Sequence, residues 1–446
     1  MLNYFTDILP VYNSDNDRTI EKLSELYNHQ EQLLKFISEL IAKHFLPEMI
    51  QGKRILLKPN WVKHSVNEQD EICLRTHDNF LLAGLEAILN YKPASILIGD
   101  APIQGCKWDK VVTSALLDKI ELLSRNHNIP INIKDFRRVV FNTASNQPLT
   151  DRLPLSDYLI FDLGKQSFLE PITDATRNVF RVTDYNPDKL AESHRPGVHK
   201  YCITKELFDA DIVISLPKVK THQKAGITAA LKNLVGVNGD KDYLPHHRVG
   251  GSEHGGDCYP GKNLFRTCSE FALDFANRRQ GQWWYIVAQK ISGTFWRLSL
   301  PGQEHHLGAA WFGNDTTWRM VLDLNKIAVY GKADGSISKQ VQRQVFSLCD
   351  GIIGGQGDGP LRPEPLPMGV ISLTNHSGMN DLAMATLMQF EISKIAMLNE
   401  INKLSKKDKI ELSWNNSLIK IPELEKFSIE TVLPPGWINY SKKKLK

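Results

Sequence analysis

The sequence DIVISLPKVKTHQKAGITAALKNLVGVNGD, residues 211–240, joins the pattern of a buried strand to a cluster of polar side chains. Its first five residues, Asp211–Ser215, form a short apolar run rich in β-branched side chains, which is typical of a strand covered on both faces in a parallel sheet. Pro217 cannot donate a backbone hydrogen bond, so we expect the strand to end there. Open α/β sheets bind ligands just past the carboxyl ends of their strands. The segment therefore predicts an α/β fold with a functional site at this strand end.

Short apolar strand patterns recur along the chain. We predict further strands at residues 53–58, 95–100, 158–162, 351–354 and 368–373. A helical pattern between the first two makes a strand, helix and strand at the spacing of a right-handed parallel crossover unit. The predicted fold class is therefore α/β and two-lobed, with a mostly parallel sheet and a helical, aromatic-rich insertion.

The chain length predicts more than one lobe, because 446 residues exceed the size at which a single hydrophobic core keeps growing. We divide the chain into a helical N-terminal segment (residues 1–50), a first α/β lobe (51–242), a helical insertion (243–345), and a C-terminal α/β portion with a basic tail (346–446). The insertion contains Trp283, Trp284, Trp296, Trp311 and Trp318. We expect them to pack this helical layer, and the alternative is that they form a lid or an interface.

The composition argues against several functional classes. The formal net charge of +4 is too small over this length for a nucleic-acid-binding protein. No run approaches the roughly 18 apolar residues of a membrane span, so no membrane partner is expected. The 6 cysteines include no C-x-x-C pair, which argues against a self-contained cluster or a zinc ribbon. The N-terminal residues lack the pattern of a secretory signal, and we therefore predict a cytoplasmic protein with free thiols.

Four predicted strand ends share one design, in which a buried strand is followed by proline or glycine and then by polar side chains. These segments are Lys58–Asn60, Gly99–Pro102, Leu216–His222 and Gly354–Pro360. The carboxyl ends of parallel strands lie at one edge of a sheet, so we expect the four segments to meet in one crevice. The alternative is that each segment is an ordinary turn with solvated side chains.

A crevice lined by lysines would either bind an anion, such as a carboxylate or a phosphate, or hold one amine at a lowered pKa. The alternative is a set of surface lysines. His222 is the candidate general acid or base, since the unperturbed pKa of histidine lies near neutrality. The candidate catalytic residues are His222, Lys220, Lys218 and Asp100. The candidate substrate-binding residues are Lys58, Asn60, Arg75, Thr221, Thr228, Lys232, Asn233, Gly355 and Gly357, of which the two glycines would form a backbone anion nest.

A divalent metal is a candidate cofactor, because imidazole and carboxylate side chains are frequent between residues 242 and 257. The candidate ligands are His246, His254 and Asp257. His246 and His247 would point in opposite directions in a strand, so both can be ligands only if the chain turns there. The alternative is that these histidines contact substrate, phosphate or solvent.

Taken together, the segments Lys58–Asn60, Gly99–Asp100, Ser215–Gly236 and Asp350–Pro360 resemble the domain of unknown function 362 (DUF362) family, from about residue 50 to 400. The resemblance implies a family often found beside iron-sulfur and redox functions, and hence a redox or assembly partner protein. This chain lacks the cysteine cluster that some members append. The family usually has an aspartate near the position of Asp381, which we expect to cap its own helix. A more distant similarity is to the nickel-pincer lactate racemase group, whose α/β lobes enclose a lysine- and histidine-lined cleft.

Two functions follow from these observations. The first is a cytoplasmic enzyme that acts on a small anionic substrate in a cleft between the lobes, by proton transfer, redox chemistry or group transfer. The second is a non-catalytic protein that holds a metal or an anionic cofactor for a partner. No nucleic acid is expected as a ligand in either case.

Overall fold

The structure is a computed structural model that describes residues 4–141, 149–299, 307–405 and 409–440. Its strands are Tyr4–Pro10 (β1), Arg54–Pro59 (β2), Ser95–Asp100 (β3), Ile131–Asp135 (β4), Val139–Phe141 (β5), Leu149–Asp151 (β6), Tyr158–Asp162 (β7), Phe180–Arg181 (β8), His194–Arg195 (β9), Val198–Thr204 (β10), Ile212–Leu216 (β11), Lys218–His222 (β12), Gly226–Thr228 (β13), His247–Arg248 (β14), Gln344–Asp358 (β15), Arg362–Leu366 (β16), Val370–Thr374 (β17), Ile410–Trp414 (β18) and Ser417–Leu418 (β19).

The helices alternate with these strands along most of the chain. They are Ile20–Asn28 (α1), Gln30–Ala42 (α2), Pro47–Ile50 (α3), Glu68–Cys73 (α4), Asp78–Leu89 (α5), Ser114–His127 (α6), Pro187–Ser193 (α7), Glu206–Asp209 (α8), Ala230–Asn233 (α9), Leu264–Asn277 (α10), Trp283–Leu298 (α11), Thr317–Tyr330 (α12), Ser377–Leu387 (α13) and Ala396–Leu404 (α14). The α/β fold class predicted from the sequence is confirmed.

A central 12-stranded sheet organises the molecule, with the order β19-β18-β1-β17-β15-β11-β2-β3-β4. In addition β12 and β16 pair with β15, and β13 pairs with β12. The five neighbouring strands β15, β11, β2, β3 and β4 are all parallel to one another. The strand β17 is antiparallel to both of its neighbours, β1 and β15. The sheet is thus parallel in the half that carries the predicted strand ends, as expected.

Both faces of the parallel strands are covered, which explains their continuous apolar sequences. In β2, Leu56 packs into one hydrophobic cluster with residues of α12 and α13. Its neighbours Ile55 and Leu57 pack into a second cluster on the opposite face, with residues of α2 and α5. Successive side chains of a strand point to opposite faces, so a strand buried on both sides needs an apolar residue at every position.

Pro217 acts only partly as predicted. The ladder between β11 and β2 ends at the pair Leu216 and Pro59, next to the proline. The chain nevertheless continues as β12, which pairs with β15 through Lys218 and Asp350. Proline removes one donor but leaves its own carbonyl, and this carbonyl accepts a hydrogen bond of 2.9 Å from the backbone N–H of Asp350.

The glycine-rich run that was predicted to be a loop and an anion nest is part of the long strand β15. Gly355 pairs with Lys220 on one side and with Pro365 on the other. A Cβ atom at Gly355 would lie 2.8 Å from Cβ of Lys220 and 2.8 Å from Cβ of Pro363. The glycines allow strands to approach closely, and their backbone groups are used for pairing, so the prediction of a nest at Gly355 and Gly357 is wrong.

Two further predictions about secondary structure need correction. The strand predicted at 158–162 exists as β7, but it belongs to a separate three-stranded sheet with β10 and β9. The N-terminal segment is not wholly helical, because Tyr4–Pro10 forms a strand between β17 and β18 of the central sheet. Sequence periodicity identifies strands locally but does not determine which strands pair.

The predicted insertion contains a helical hairpin formed by α10 and α11. Trp311 and Trp318 are buried, and Trp318 packs in the hydrophobic cluster that covers one face of the central sheet. Trp283 and Trp284, in contrast, stack on each other at the start of α11 and are 63% and 44% exposed. For these two residues packing of the helical layer is therefore the wrong interpretation.

The described helices include none with both the length and the apolar character needed to cross a lipid bilayer.

Candidate functional site

A cavity of about 260 Å³ opens at the carboxyl ends of β2, β3 and β12, and is called the lysine pocket below. Its walls come from β2, β3, β12 and β13, from α9, and from the segment between Lys241 and His246. The polar side chains that line it are Asn60, Asp100, Lys220, His222, Gln223, Lys224, Thr228, Lys232, Asn233, Asn238, Lys241 and His246. All four predicted strand-end segments contribute to the lining, the fourth through Pro360.

Four lysines reach the lysine pocket, namely Lys220, Lys224, Lys232 and Lys241. Among the ion pairs of the described residues, none involves any of these four ammonium groups, although nearby Lys58 pairs with a carboxylate at 2.8 Å. Nζ of Lys220 donates a hydrogen bond to the backbone carbonyl of Leu74. The pocket therefore contains more positive charge than its own side chains neutralise.

The electrostatics of the pocket lower the pKa of each lysine. Desolvation, together with the positive charge of neighbouring lysines, lowers the pKa of Lys220 and that of Lys232 to about 7. The same causes lower the pKa of Lys241 to about 8, and desolvation lowers the pKa of Lys224. Near neutral pH such a site holds a mixture of charged and neutral amines, and a neutral amine can accept a proton.

His222 is a neutral hydrogen-bond donor rather than the group that titrates near neutrality. Its Nδ1 atom accepts hydrogen bonds from the backbone N–H groups of Lys224 at 3.0 Å and Ala225 at 3.2 Å. The imidazole proton must then be on Nε2. Desolvation and the charges of the surrounding lysines hold the pKa of His222 well below its usual value. The choice of His222 as the general acid or base started from the unperturbed pKa of histidine, which burial and the neighbouring lysines lower here.

The floor of the lysine pocket is a buried polar network below the unpaired lysines. Nζ of Lys58 lies 2.8 Å from Oδ1 of Asp100, and Oδ2 of Asp100 accepts a hydrogen bond of 2.7 Å from the backbone N–H of Trp61. Oδ1 of Asn233 accepts from Nδ2 of Asn60 at 2.9 Å, and Nδ2 of Asn233 donates to Ser215 at 2.8 Å. These side chains hold the ends of β2, β3, β11 and α9 together.

The helix α9, which carries Lys232, is held by a distant carboxylate. Asp381 lies inside α13 and accepts hydrogen bonds from the backbone N–H groups of Ala230 at 2.8 Å and Leu231 at 3.2 Å. Burial raises the pKa of Asp381 to about 7. The expectation that Asp381 caps its own helix is wrong, since the side chain of His376 caps α13 and Asp381 holds the first turn of α9.

Two predicted cationic residues lie outside the lysine pocket and have their own carboxylates. Lys218 is fully buried and pairs with Asp350 at 2.9 Å, next to the hydroxyl of Tyr27. Arg75 pairs with Asp78 and, at 2.8 Å, with Glu71. Thr221 and Gly357 also lie outside, where the threonine hydroxyl donates to the Gly357 carbonyl at 3.0 Å. Lys58 lies below the pocket, in its floor.

The structure does not bring the three predicted metal ligands together. His246 lines the lysine pocket, and His254 lies in an exposed turn. The carboxylate of Asp257 is buried and accepts hydrogen bonds from the hydroxyl of Thr316 at 2.6 Å and the backbone N–H of Asp315 at 3.0 Å. His246, His254 and Asp257 thus have three separate environments.

Sequence reasoning missed Lys224 and Lys241. A lysine between Asp240 and Asp242 has the pattern of a neutralised surface residue. In the structure Asp242 pairs with Lys189 at 2.9 Å and Asp240 lies 3.4 Å from Arg138, so Lys241 faces the pocket without either carboxylate. The signal available in the sequence was the high density of lysines from 218 to 241.

A larger cavity of about 350 Å³ lies at the opposite edge of the sheet. It is lined by the first residues of β1, β15 and β18, including Phe5, Gln344 and Glu411. Ligands of open parallel sheets bind at the carboxyl ends of the strands. The lysine pocket has that position, whereas the larger cavity lies at the amino ends.

Comparison with known proteins gives one family and several distant relatives. The family described as Domain of unknown function (DUF362) matches residues 165–386. A thylakoid-associated protein of Synechocystis, sll1697, is 21% identical over 193 residues, which are 43% of this chain and 37% of that protein. The chain thus matches little more than a third of that relative's length.

Two solved structures resemble the chain distantly. A protein from Thermotoga maritima has a TM-score of 0.36 at 10% identity, with 86% of this chain and 60% of that chain covered. The lactate racemase apoprotein from Thermoanaerobacterium thermosaccharolyticum has a TM-score of 0.33 at 10% identity, with 80% of this chain and 55% of that chain covered.

Proposed function

This chain belongs to the DUF362 family through residues 165–386, and we propose that the lysine pocket, whose four lysines all lie in this region, is the substrate site of an enzyme that acts on a small anion. The observation that carries the proposal is the convergence of Lys220, Lys224, Lys232 and Lys241 without carboxylate partners among the described residues. Positive charge in a desolvated cavity is unfavourable unless an anion compensates it. A carboxylate or a phosphate supplies that compensation.

Unpaired polar atoms of the lining support the same proposal. Within the described part of the chain, Oδ1 of Asn60 and Oγ1 of Thr228 are buried and have no hydrogen-bond partner. A buried polar atom without a partner is costly, so such atoms commonly face a ligand or an ordered water. Both residues line the lysine pocket, as does His222.

The size of the cavity limits the substrate. Sites for drug-sized ligands enclose roughly 300 to 1,000 Å³. The lysine pocket, at about 260 Å³, fits a metabolite of a few carbon atoms that carries one or two anionic groups.

The reaction that these side chains support best is proton transfer. Lys224, Lys232 and Lys241 would hold the anionic groups of the substrate. Lys220 is fully buried, and its pKa of about 7 leaves a substantial fraction of neutral amine at physiological pH. In the proposed step the neutral amine takes a proton from the substrate, and the ammonium group returns it to the same or another atom.

The cellular compartment is also a proposal. All 6 cysteines are free thiols, and 5 of them are buried. Free thiols throughout the chain support a reducing compartment, of which the cytoplasm is the default.

Calorimetric titration with malonate and with inorganic phosphate tests the binding half of the proposal. Lys232→Met and Lys241→Met should each weaken binding about 10- to 100-fold, because each removes a charge-assisted contact. Lys290→Met is the matched control, since Lys290 is exposed on α11, and it should leave the affinity unchanged. Equal affinities in all four proteins would overturn the proposal.

Deuterium exchange tests the catalytic half. The protein is incubated in D₂O with a panel of small carboxylates and phosphate esters, and mass spectrometry detects deuterium at carbon. At least one compound should exchange, and Lys220→Met should abolish exchange while the variant still binds malonate. If the protein binds anions but exchanges deuterium into none of the compounds, the proposed binding site stands. The proposed proton transfer at the carbon atoms of these compounds is then excluded.

A further inference from the structure

Three side chains with metal-binding chemistry meet outside the lysine pocket. His247 comes from β14, Cys258 from the loop that follows, and Glu270 from α10. Their candidate ligand atoms all lie within 4.8 Å of one another. From this juxtaposition we propose that the cluster of His247, Cys258 and Glu270, called the His-Cys-Glu cluster, binds a zinc ion.

An unpaired nitrogen atom in the cluster provides independent support. The His247 side chain belongs to a residue that is only 5% exposed, and its Nδ1 atom has no hydrogen-bond partner within the described residues. A buried ring nitrogen without a partner loses its hydration and gains nothing in return. Coordination of a cation by its lone pair would remove that cost.

Backbone contacts hold the other two ligands in place. The carboxylate of Glu270 accepts hydrogen bonds from the backbone N–H of Gly250 at 3.0 and 3.2 Å. The carbonyl of the same glycine accepts a hydrogen bond of 3.1 Å from the backbone N–H of Cys258. Gly250 therefore fixes the positions of Cys258 and Glu270 relative to each other, as outer-shell groups do in metal sites.

The charges of the cluster match a divalent cation. One thiolate and one carboxylate neutralise two positive charges, and the imidazole remains neutral. Cys258 and Glu270 are hydrogen-bonded to each other through their side chains. Binding of zinc would displace to solvent the thiol proton of Cys258, and the proton of Glu270 wherever that carboxyl carries one, as expected when such side chains become ligands.

The ligand types favour zinc over harder cations. Thiolate, imidazole and carboxylate are the three side-chain ligands of protein zinc sites, and calcium and magnesium prefer oxygen alone. Three protein ligands leave one tetrahedral position for water or another molecule. The cluster joins the loop 247–258 to α10, so zinc would fix the helical hairpin to the segment that ends at the lysine pocket.

The proposal is independent of the function proposed for the lysine pocket. Lys224 lines that pocket, and its positive charge also interacts electrostatically with Cys258 and His247 of the His-Cys-Glu cluster. The zinc would nevertheless be held by residues that do not line the pocket. Loss of zinc binding would thus leave anion binding at the lysine pocket as a separate question.

Cobalt(II) titration of chelator-treated full-length protein tests the proposal directly. One equivalent of cobalt should bind and produce the near-ultraviolet charge-transfer band of a cobalt–thiolate bond, and one equivalent of zinc should remove the band. Cys258→Ser should abolish it. His247→Gln and Glu270→Gln should weaken affinity by more than the roughly 10- to 100-fold that follows loss of an outer-shell group.

Two substitutions in the same region serve as matched controls. Cys268→Ser removes another thiol from α10, and His254→Gln removes an exposed imidazole from the adjacent loop. Both variants should retain the band and the affinity. Circular dichroism shows whether each variant is folded. If Cys258→Ser does not fold, Glu270→Gln still tests the proposal, because glutamine keeps the shape of the glutamate side chain. The absence of a thiolate band in the wild-type protein, or its persistence in Cys258→Ser, would overturn the proposal.

Discussion

Nζ of Lys58 lies 2.8 Å from Oδ1 of Asp100 in the floor of the lysine pocket, and both side chains are buried. The carboxylate of Asp100, which lines the pocket, is thus already paired with Lys58. As a result Asp100 does little to neutralise the lysines above it, and the pocket remains available to an external anion.

We predict that Asp100→Asn destabilises the protein strongly. Removing one partner of a buried ion pair leaves the other charge uncompensated and costs about 3–5 kcal/mol. Urea denaturation measures the change in the free energy of unfolding. Asp211→Asn is the control, because Asp211 makes the same kind of pair with Arg54 at an exposed position, and its effect should be much smaller. Equal effects of the two substitutions would contradict the assignment of Lys58 and Asp100 as a buried pair.

Binding of an anion should take up protons. The pKa values of Lys220 and Lys232 are about 7, and that of Lys241 is about 8. A bound anion favours the charged ammonium form and raises these pKa values. Titration with malonate in two buffers of different ionisation enthalpy should show proton uptake near about pH 8, and affinity should fall towards about pH 9. A double variant, Lys220→Met with Lys232→Met, should take up fewer protons, whereas an unchanged uptake would contradict the prediction.

In solutions without an added anion, the stability of the protein should depend on pH through the same lysines. The pKa of Lys220 is about 7 in the folded protein, against a usual value of about 10.5 when unfolded. Between these values the unfolded chain binds the extra proton, so raising the pH favours the folded state by about 1.4 kcal/mol per pH unit for one lysine. The free energy of unfolding of the wild type, measured from about pH 7 to about pH 9, should therefore rise more steeply than that of Lys220→Met. Parallel profiles would show that Lys220 keeps an ordinary pKa.

Asp381→Ala should weaken both the fold and anion binding. The carboxylate accepts hydrogen bonds from the first turn of α9, which carries Lys232. Substitution of a helix-capping side chain by alanine costs about 0.5–2 kcal/mol, and here it should also displace Lys232. Thr113→Ala is the control, because it removes the cap of α6, which does not contribute to the lysine pocket. Thermal unfolding and malonate titration should show lower stability in both variants and weaker binding in Asp381→Ala alone.

Gly236→Ala should disturb the floor of the lysine pocket. A Cβ atom at this position would lie 1.8 Å from Oδ1 of Asp100 and 2.8 Å from Nζ of Lys58. The buried pair would have to move, so we expect malonate affinity to fall. Gly293→Ala adds the same atom in α11, where no other group lies within 4 Å, and it should preserve binding. Unchanged binding in Gly236→Ala would show that the pair does not shape the pocket.

The sequence predicted where the lysine pocket lies better than it predicted which side chains line it. Lys220 and Lys232 could be identified as candidates because they follow a buried strand, and open α/β sheets bind ligands past the carboxyl ends of their strands. Lys218 could not be excluded in the same way, because its partner Asp350 is 132 residues away in the chain. An irregularity in the pairing of β12 with β15 between Lys218 and Lys220 gives the two lysines different neighbours. Local sequence contains neither the partner nor the irregularity.

The fold class could be predicted because strands buried on both faces have a continuous apolar sequence, as in Ile212–Leu216. The glycine run in β15 was misread for a physical reason. Glycine marks turns and also marks close contacts between strands, and only the positions of Lys220 and Pro363 next to Gly355 show which applies. The role of Asp381 was missed because capping of a different helix depends on tertiary packing.

The continuity of β15 has a consequence for how firmly one wall of the lysine pocket is held. This single 15-residue strand pairs with β11 in the core and also with β12, which carries Lys220 and His222 of the lining. The backbone beneath these two side chains is therefore part of the central sheet. It cannot move away from the pocket without disrupting its pairing with β15.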